Sequence, residues 1–129
     1  MNPKTLEWIA KAEGDWATMN REYIVQKDAN YDAVCFHAQQ CAEKYLKARL
    51  FDSGILFAKI HDLEILLNDL LLIEPNWISM RNAALVLSSF AVEFRYPGAV
   101  AVQSDAKEAV EHCRLIRKLV RESFGLPIK

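Results

Sequence analysis

The spacing of hydrophobic residues follows the period of an α-helix along nearly the whole chain. Apolar residues recur at intervals of three and four in five segments, which Gly, Pro and Asn residues separate, and none alternates with the period of a β-strand. The pattern predicts helices at about 3–25, 33–50, 61–73 and 79–94, and a fifth from just after Ser104 to Gly125. Because the connections are short, neighbouring helices should pack antiparallel. We therefore predict one domain over residues 1–129, an all-α up-and-down helical bundle of about five helices.

The second predicted helix has two different faces. Asn30 can cap its start, and Ser53-Gly54 can end it. Its broad apolar side, at the helical spacing, holds Val34, Cys35, Ala38, Cys41, Ala42, Tyr45, Leu46, Ala48 and Leu50. The opposite side holds His37, Gln40, Glu43, Lys44 and Lys47, with Phe36 among them. Gln39 and Arg49 interrupt the apolar side, so each needs a polar partner if it is buried.

Three further expectations concern the other helices. Ser104, followed by Asp105, predicts the cap of the last helix. The fourth helix is apolar nearly all round, so we expect it to lie at the centre of the bundle. Gly14 is unfavourable inside the first helix, and this predicts that another backbone comes close there.

Composition excludes several classes of protein. A formal net charge of −1 argues against nucleic-acid binding by bulk charge, although a local basic patch remains open. No apolar run reaches the ~20 residues of a membrane span, and the first segment has no signal-peptide core. The three Cys residues are an odd number without metal-site spacing, which predicts free buried thiols. We therefore expect a cytoplasmic protein that does not bind membranes.

Four segments together resemble the HEPN domain family. The run CFHAQQCAEKYLKA, beginning at Cys35, resembles the signature of the family's second helix, and the segment around Trp8 and Trp16 resembles its first. The segment Lys59-Ile60-His61-Asp62-Leu63 resembles its K-T-H-D-L segment, with Ile for Thr, and Arg95-Tyr96-Pro97-Gly98 resembles its R-Y-P turn. The four segments follow the order and spacing of the family, and together they spread over most of the chain. The resemblance implies a helical domain. Many members of the family are metal-independent ribonucleases.

The ribonuclease signature of that family is Arg followed, four to six residues later, by His. Such chemistry needs a cation for the phosphate and a group that moves a proton near neutral pH. Arg95 stands at the corresponding place, but Val100, Ala101 and Val102 occupy the positions that should hold His. The sequence therefore assigns no catalytic residue, and we expect no cleavage of RNA.

The polar residues at the family's signature positions are the candidates for binding a ligand. They are His37, Gln40, Glu43, Lys44, Lys47, His61, Asp62, Arg95 and Tyr96. If they converge, Lys47 and Arg95 can hold a phosphate while Tyr96 stacks on a base. The alternative is structural. Glu43 and Lys47 could form a surface pair, or Gln40 and Glu43 could bond to a neighbouring loop and fix the bundle. His61 and Asp62 could cap the third helix, and Arg95 could bind the carbonyls that end the fourth.

Metal binding has little support in the sequence. His37 and Cys41 lie four residues apart on one helix and could form half of a metal site, but no further ligand is near them in the sequence. We predict no metal and no cofactor except a possible nucleotide.

Three functions stay open. The first is a nucleotide- or RNA-binding regulatory module that acts with a minimal nucleotidyltransferase partner in a toxin–antitoxin-like pair, as the resemblance implies. The second is a metal-independent ribonuclease toxin that uses Arg95 and a His brought near it by the fold. The third is a purely structural dimeric scaffold. A homodimer is expected because members of the family commonly form one, and because the chain has more apolar surface than one small bundle buries.

Overall fold

The computed structural model describes residues 1–129 and consists of five α-helices and one 3₁₀-helix. The helices are α1 (Pro3–Tyr23), α2 (Tyr31–Asp52), α3 (Leu63–Leu70), α4 (Arg81–Glu93) and α5 (Gln103–Ser123), and the 3₁₀-helix is Pro75–Met80. No strand is present, so the predicted all-α bundle of five helices is confirmed. None of the helices combines the length and hydropathy needed to cross a membrane.

The second helix, and not the fourth, forms the centre of the bundle. α2 packs against α1, α3, α4 and α5, and every residue of its predicted apolar side is buried. By contrast, α4 buries only Ala83, Ala84 and Leu87. The prediction that the fourth helix is central was wrong, because its apolar residues lie on several faces and the single chain leaves Leu85 and Val92 exposed.

Side-chain caps set the starts of α1, α2 and α3. Asn2 accepts the Lys4 N–H and Asn30 accepts the Ala33 N–H, so α1 and α2 start near the predicted places. Asp62 accepts the Glu64 N–H, which starts α3 at Leu63, after His61 rather than at it. α3 ends at Leu70, and Pro75 begins the 3₁₀-helix.

Two local predictions were wrong. The carboxylate of Asp105 accepts the Val102 N–H at 2.9 Å, and α5 therefore begins at Gln103 with Val102, not Ser104, at its cap position. No atom lies within 4 Å of where a Cβ on Gly14 would stand, so no other backbone approaches that glycine. All three Cys residues are free and buried, as predicted.

A partly buried polar network joins α1, α2 and α5. Arg117 donates two hydrogen bonds of 2.8 Å to the carboxylate of Glu13, and the hydroxyl of Tyr45 donates a third of 2.6 Å. Arg121 in turn donates to the Tyr45 hydroxyl, and the guanidinium of Arg117 stacks 4.4 Å from the ring of Trp16. Burial alone would raise the pKa of Glu13, but these hydrogen bonds and the charges of the two Arg side chains lower it.

The lowered pKa of Glu13 predicts a dependence of stability on pH. The unfolded chain binds this proton more readily than the folded chain, so the stabilisation is present above the ordinary pKa of Glu and is lost as the pH falls through the folded value. We expect Glu13→Gln to lower the melting temperature at pH 7, with a difference from wild type that shrinks below about pH 4.

The control is Glu111→Gln, which changes an exposed residue of α5. It should melt as the wild type does at every pH. Thermal unfolding followed by circular dichroism measures both variants, and a Glu13→Gln difference that stays constant from pH 7 to pH 3 would contradict this account.

Candidate ligand-binding groove

Two charged residues of the polar face of α2 are buried. Glu43 and Lys47 are only 4% and 6% exposed, and the Lys47 ammonium lies 3.0 Å from the Glu43 carboxylate. Trp8 and Phe57 cover the pair, each with its ring centroid 5.9 Å from the Lys47 ammonium. The interpretation of these residues as an ordinary surface pair was therefore wrong, because α1 and the segment after α2 cover this side of the helix.

The Glu43 carboxylate holds His61 in place. Besides Lys47, it accepts hydrogen bonds from Gln39 Nε2 and from His61 Nδ1, both at 3.0 Å. Because an ionised carboxylate only accepts, Nδ1 of His61 carries the proton. Gln39 Nε2 also donates to the His61 carbonyl oxygen at 2.9 Å, and Gln40 donates to Gln39. The ring of His61 is thus oriented by its Nδ1, while 69% of its side chain stays exposed.

His61 opens onto a groove of about 390 Å³ between α2, α4 and the start of α3. The groove is lined by Gln39, His61, Asp62, Leu85, Ser88, Ser89, Ala91, Val92 and Arg95. Asp62 is engaged as the cap of α3, and Ser88 Oγ accepts the Leu63 N–H at 3.0 Å. The exposed imidazole of His61 and the exposed guanidinium of Arg95 are the polar groups best placed to meet a ligand.

A smaller aromatic pocket of about 100 Å³ adjoins this groove. Its lining consists of Asp32, Phe36, Phe90, Ala91, Phe94 and Arg95. Ala91 and Arg95 line both spaces, so an aromatic compartment and a cationic compartment meet at Arg95. Asp32 is not free there, because it accepts the Ala101 N–H at 2.7 Å. We call the two spaces together the α2–α4 groove.

The structure brings only part of the predicted polar set together. His61, Asp62 and Arg95 line the α2–α4 groove, and Glu43 lies behind His61. Lys47 is buried with its ammonium bound to Glu43, so it presents little charge to a ligand. Tyr96 is 62% exposed and lines neither compartment.

His37 and Lys44 lie elsewhere, on the side of α2 that faces α1. His37 Nδ1 lies 2.7 Å from one carboxylate oxygen of Asp15, and the Lys44 ammonium lies 2.5 Å from the other. Cys41, four residues after His37, is fully buried. No three His, Cys, Asp or Glu side chains converge in a way that could hold a metal ion.

Sequence reasoning missed Ser88, Ser89 and the role of Gln39. The adjacent Ser residues were the available signal, since they interrupt an otherwise apolar helix. The sequence indicates that Gln39 needs a hydrogen-bond partner if it is buried, and the structure provides the Glu43 carboxylate and the His61 carbonyl.

Comparison with known proteins identifies the family. The sequence model of the HEPN domain matches residues 5–123, and the chain therefore belongs to the HEPN domain family. It is similar to the crystal structure of TT1696 from Thermus thermophilus, with 27% identity over 95% of this chain and 98% of that chain and a TM-score of 0.77. It has the fold of ST0689, an archaeal HEPN homologue, with 24% identity over 97% and 98% of the two chains and a TM-score of 0.74. No curated protein matches the chain.

The buried pair predicts a stability effect that a surface pair would not show. Removing the Lys47 charge leaves the carboxylate of Glu43 buried without its cation, and breaking such a pair costs about 3 kcal/mol or more. We expect Lys47→Met to lower the free energy of unfolding by that amount in urea denaturation. The double variant Glu43→Gln/Lys47→Met should lose less than the sum of the two single variants.

The control is Lys107→Met, which changes an exposed lysine of α5 that forms no ion pair. Its stability should be unchanged. A loss below about 1 kcal/mol for Lys47→Met, which is the range of exposed pairs, would contradict a buried structural role.

Proposed function

We propose that this chain is a ligand-binding regulatory HEPN module, and that its ligand is a nucleotide or a segment of RNA bound in the α2–α4 groove. One observation carries the proposal: His61 and Arg95, which belong to two separate family signatures, line the same groove. The groove offers a permanent cation, an exposed imidazole and Ser hydroxyls, which are groups that bind phosphate oxygens.

The two compartments of the groove suit the two parts of a nucleotide. Arg95 stands between them, so a phosphate bound to its guanidinium lies beside the aromatic pocket. Phe36, which is 42% exposed, and Phe94 supply apolar ring surface for a base. The proposal assigns the phosphate to Arg95 and His61 and not to Lys47, whose ammonium already binds Glu43.

Arg95→Ala tests the ligand site. Because a hydrogen bond to a charged group contributes more than the 1.4 kcal/mol that corresponds to a tenfold change, we expect Kd for ATP to rise about tenfold or more. Calorimetric titration measures it, with Arg114→Ala, an exposed residue of α5, as the charge-matched control. Absence of binding by the wild type at millimolar ATP and with short RNA would contradict the proposal and favour the structural scaffold.

The partners in this proposal are a second copy of the chain and a minimal nucleotidyltransferase, the two together forming a toxin–antitoxin-like pair. The pairing with a nucleotidyltransferase is proposed because small HEPN proteins often occur beside one. The homodimer is supported by apolar side chains that the single chain leaves exposed on and beside α4, namely Ile65, Ile78, Leu85 and Val92. Leu85 and Val92 also line the α2–α4 groove, so the proposed dimer interface adjoins the proposed ligand site. Three free thiols suit a reducing compartment, and we assign the protein to the cytoplasm.

A charge placed on the exposed face of α4 tests the homodimer. Leu85 is 45% exposed, and Leu85→Glu should convert the dimer to a monomer, because the carboxylate would lose its water on association. Light scattering at tens of micromolar measures the mass. Leu6→Glu is the matched control on α1, where Leu6 is 50% exposed. A monomeric wild type, or a dimer that Leu85→Glu leaves intact, would contradict dimerisation through α4.

The ribonuclease remains the second candidate, because His61 and Arg95 share one groove although they lack the family's sequence spacing. Glu43 binds Nδ1 of His61, which leaves Nε2 of a neutral ring as a proton acceptor. Against it, cleavage also needs an acid for the leaving oxygen, and the groove contains one imidazole. The other two, His37 and His112, pair with Asp15 and Glu108 and do not line the groove.

We therefore expect the purified protein to leave RNA intact. The assay incubates structured and single-stranded RNA with the wild type in the presence of a chelator. Cleavage that His61→Ala and Arg95→Ala each abolish, while His112→Ala retains it, would establish the ribonuclease instead. Cleavage that persists in both groove variants would identify a contaminating nuclease.

A further inference from the structure

A second groove, separate from the α2–α4 groove, runs along the first half of α1. It measures about 340 Å³ and is lined by Lys4, Glu7, Trp8, Lys11 and Lys44. Lys4, Trp8 and Lys11 stand at positions i, i+4 and i+7, so they share one face of α1 with the indole between the two lysines. Lys44 comes from α2 and forms part of the lining. We call this space the α1 groove.

The positive charge of the α1 groove is only partly neutralised by the protein. Lys44 is bound to Asp15, but Lys4 and Lys11 are exposed and form no ion pair. Glu7 is the one acid in the lining. In a chain whose formal net charge is −1, Lys4 and Lys11 are two cations without an ion-pair partner, and they lie on either side of Trp8 on one face of α1.

The indole at the centre of this groove is held by the residues beneath it. The ring of Phe57 meets it edge to face, with centroids 6.1 Å apart and an interplanar angle of 66°. The Lys47 ammonium, fixed by Glu43, lies 5.9 Å from the Trp8 ring centroid. A ring held from within offers a flat apolar surface that loses little conformational freedom when a ligand stacks on it.

We propose that the α1 groove is a binding site for a small aromatic molecule that carries a phosphate group. The aromatic body lies against Trp8, and the ammonium groups of Lys4 and Lys11 bind the phosphate oxygens. The volume of the groove is in the range of small-molecule sites. Neither Arg95 nor His61 lines this groove, so the inference does not depend on the function proposed for the α2–α4 groove.

The test uses three probes of matched chemistry. 1-Naphthyl phosphate carries both ring and phosphate, 1-naphthol carries only the ring, and inorganic phosphate carries only the charge. We expect naphthyl phosphate to bind saturably and at least tenfold more tightly than either part, as measured by calorimetry and tryptophan fluorescence. Adenosine monophosphate in the same assay distinguishes the sources of this chemistry: tighter binding than naphthyl phosphate indicates a nucleotide, and weaker binding indicates a smaller aryl phosphate.

Variants locate the binding. Lys4→Ala/Lys11→Ala should raise Kd for naphthyl phosphate at least tenfold, since each substitution removes a charged hydrogen-bond donor. The charge-matched control is Lys107→Ala/Lys118→Ala on the exposed side of α5, which should bind as the wild type does. Arg95→Ala should also leave Kd unchanged, which separates this groove from the α2–α4 groove. Trp8→Leu should weaken binding while a cooperative melting curve shows that the chain still folds.

Three results would overturn the proposal. They are the absence of saturable binding at millimolar naphthyl phosphate, unchanged binding by Lys4→Ala/Lys11→Ala, and equal affinity for inorganic phosphate and naphthyl phosphate. Loss of binding in Arg95→Ala with retention in the lysine variant would assign the ligand to the α2–α4 groove instead. All the lysine substitutions are at exposed positions, so these outcomes do not depend on a variant that fails to fold.

Discussion

A carboxylate inside the helical bundle determines how both candidate binding surfaces are built. Glu43 is 4% exposed, and a buried negative charge is tolerated only when cations and hydrogen-bond donors surround it. Lys47 and Gln39 supply two partners from α2 itself, and His61 supplies the third from the segment that leads into α3. The position of His61 is therefore a consequence of satisfying Glu43.

The same polar core lies behind the two grooves. On one side, the Glu43 carboxylate orients His61 toward the α2–α4 groove. On the other, Lys47 supports the ring of Trp8, which lines the α1 groove. Because Lys47 and Glu43 pair at 3.0 Å, one ion pair gives fixed geometry to an imidazole and to an indole on separate surfaces. Replacing both members of such a pair by apolar residues is often nearly neutral, whereas removing one member is costly because it leaves a buried charge without its partner.

The features that the sequence predicted correctly are those that depend on a single helix. The apolar side of α2 was correct residue by residue, because helical periodicity alone decides which side chains share a face. The five-helix bundle was correct for the same reason. The prediction that α4 lies at the centre was wrong, because periodicity does not say which apolar faces of a helix the rest of the chain covers. The chain leaves Leu85 and Val92 exposed.

The candidate site depended on tertiary contacts that no local pattern contains. Glu43 and Lys47 have the spacing of a surface pair, and only the packing of Trp8 and Phe57 over Lys47 makes them buried. His61 and Arg95 likewise line the same groove only because of the way α3 and α4 pack against α2. The residues of the family signatures were identified from the sequence, whereas their division between two grooves required the structure.

Nitrogen-15 NMR of the three histidines tests the central claim, which is that Glu43 holds His61 as part of a ligand-binding groove. The structure predicts that Nδ1 of His61 carries a proton, and addition of ATP should shift the His61 Nε2 signal while those of His37 and His112 stay in place. In Glu43→Gln the preference for the Nδ1 proton should weaken. A His61 ring that carries its proton on Nε2 and none on Nδ1, or no change at His61 when ATP is added to millimolar concentration, would contradict the account.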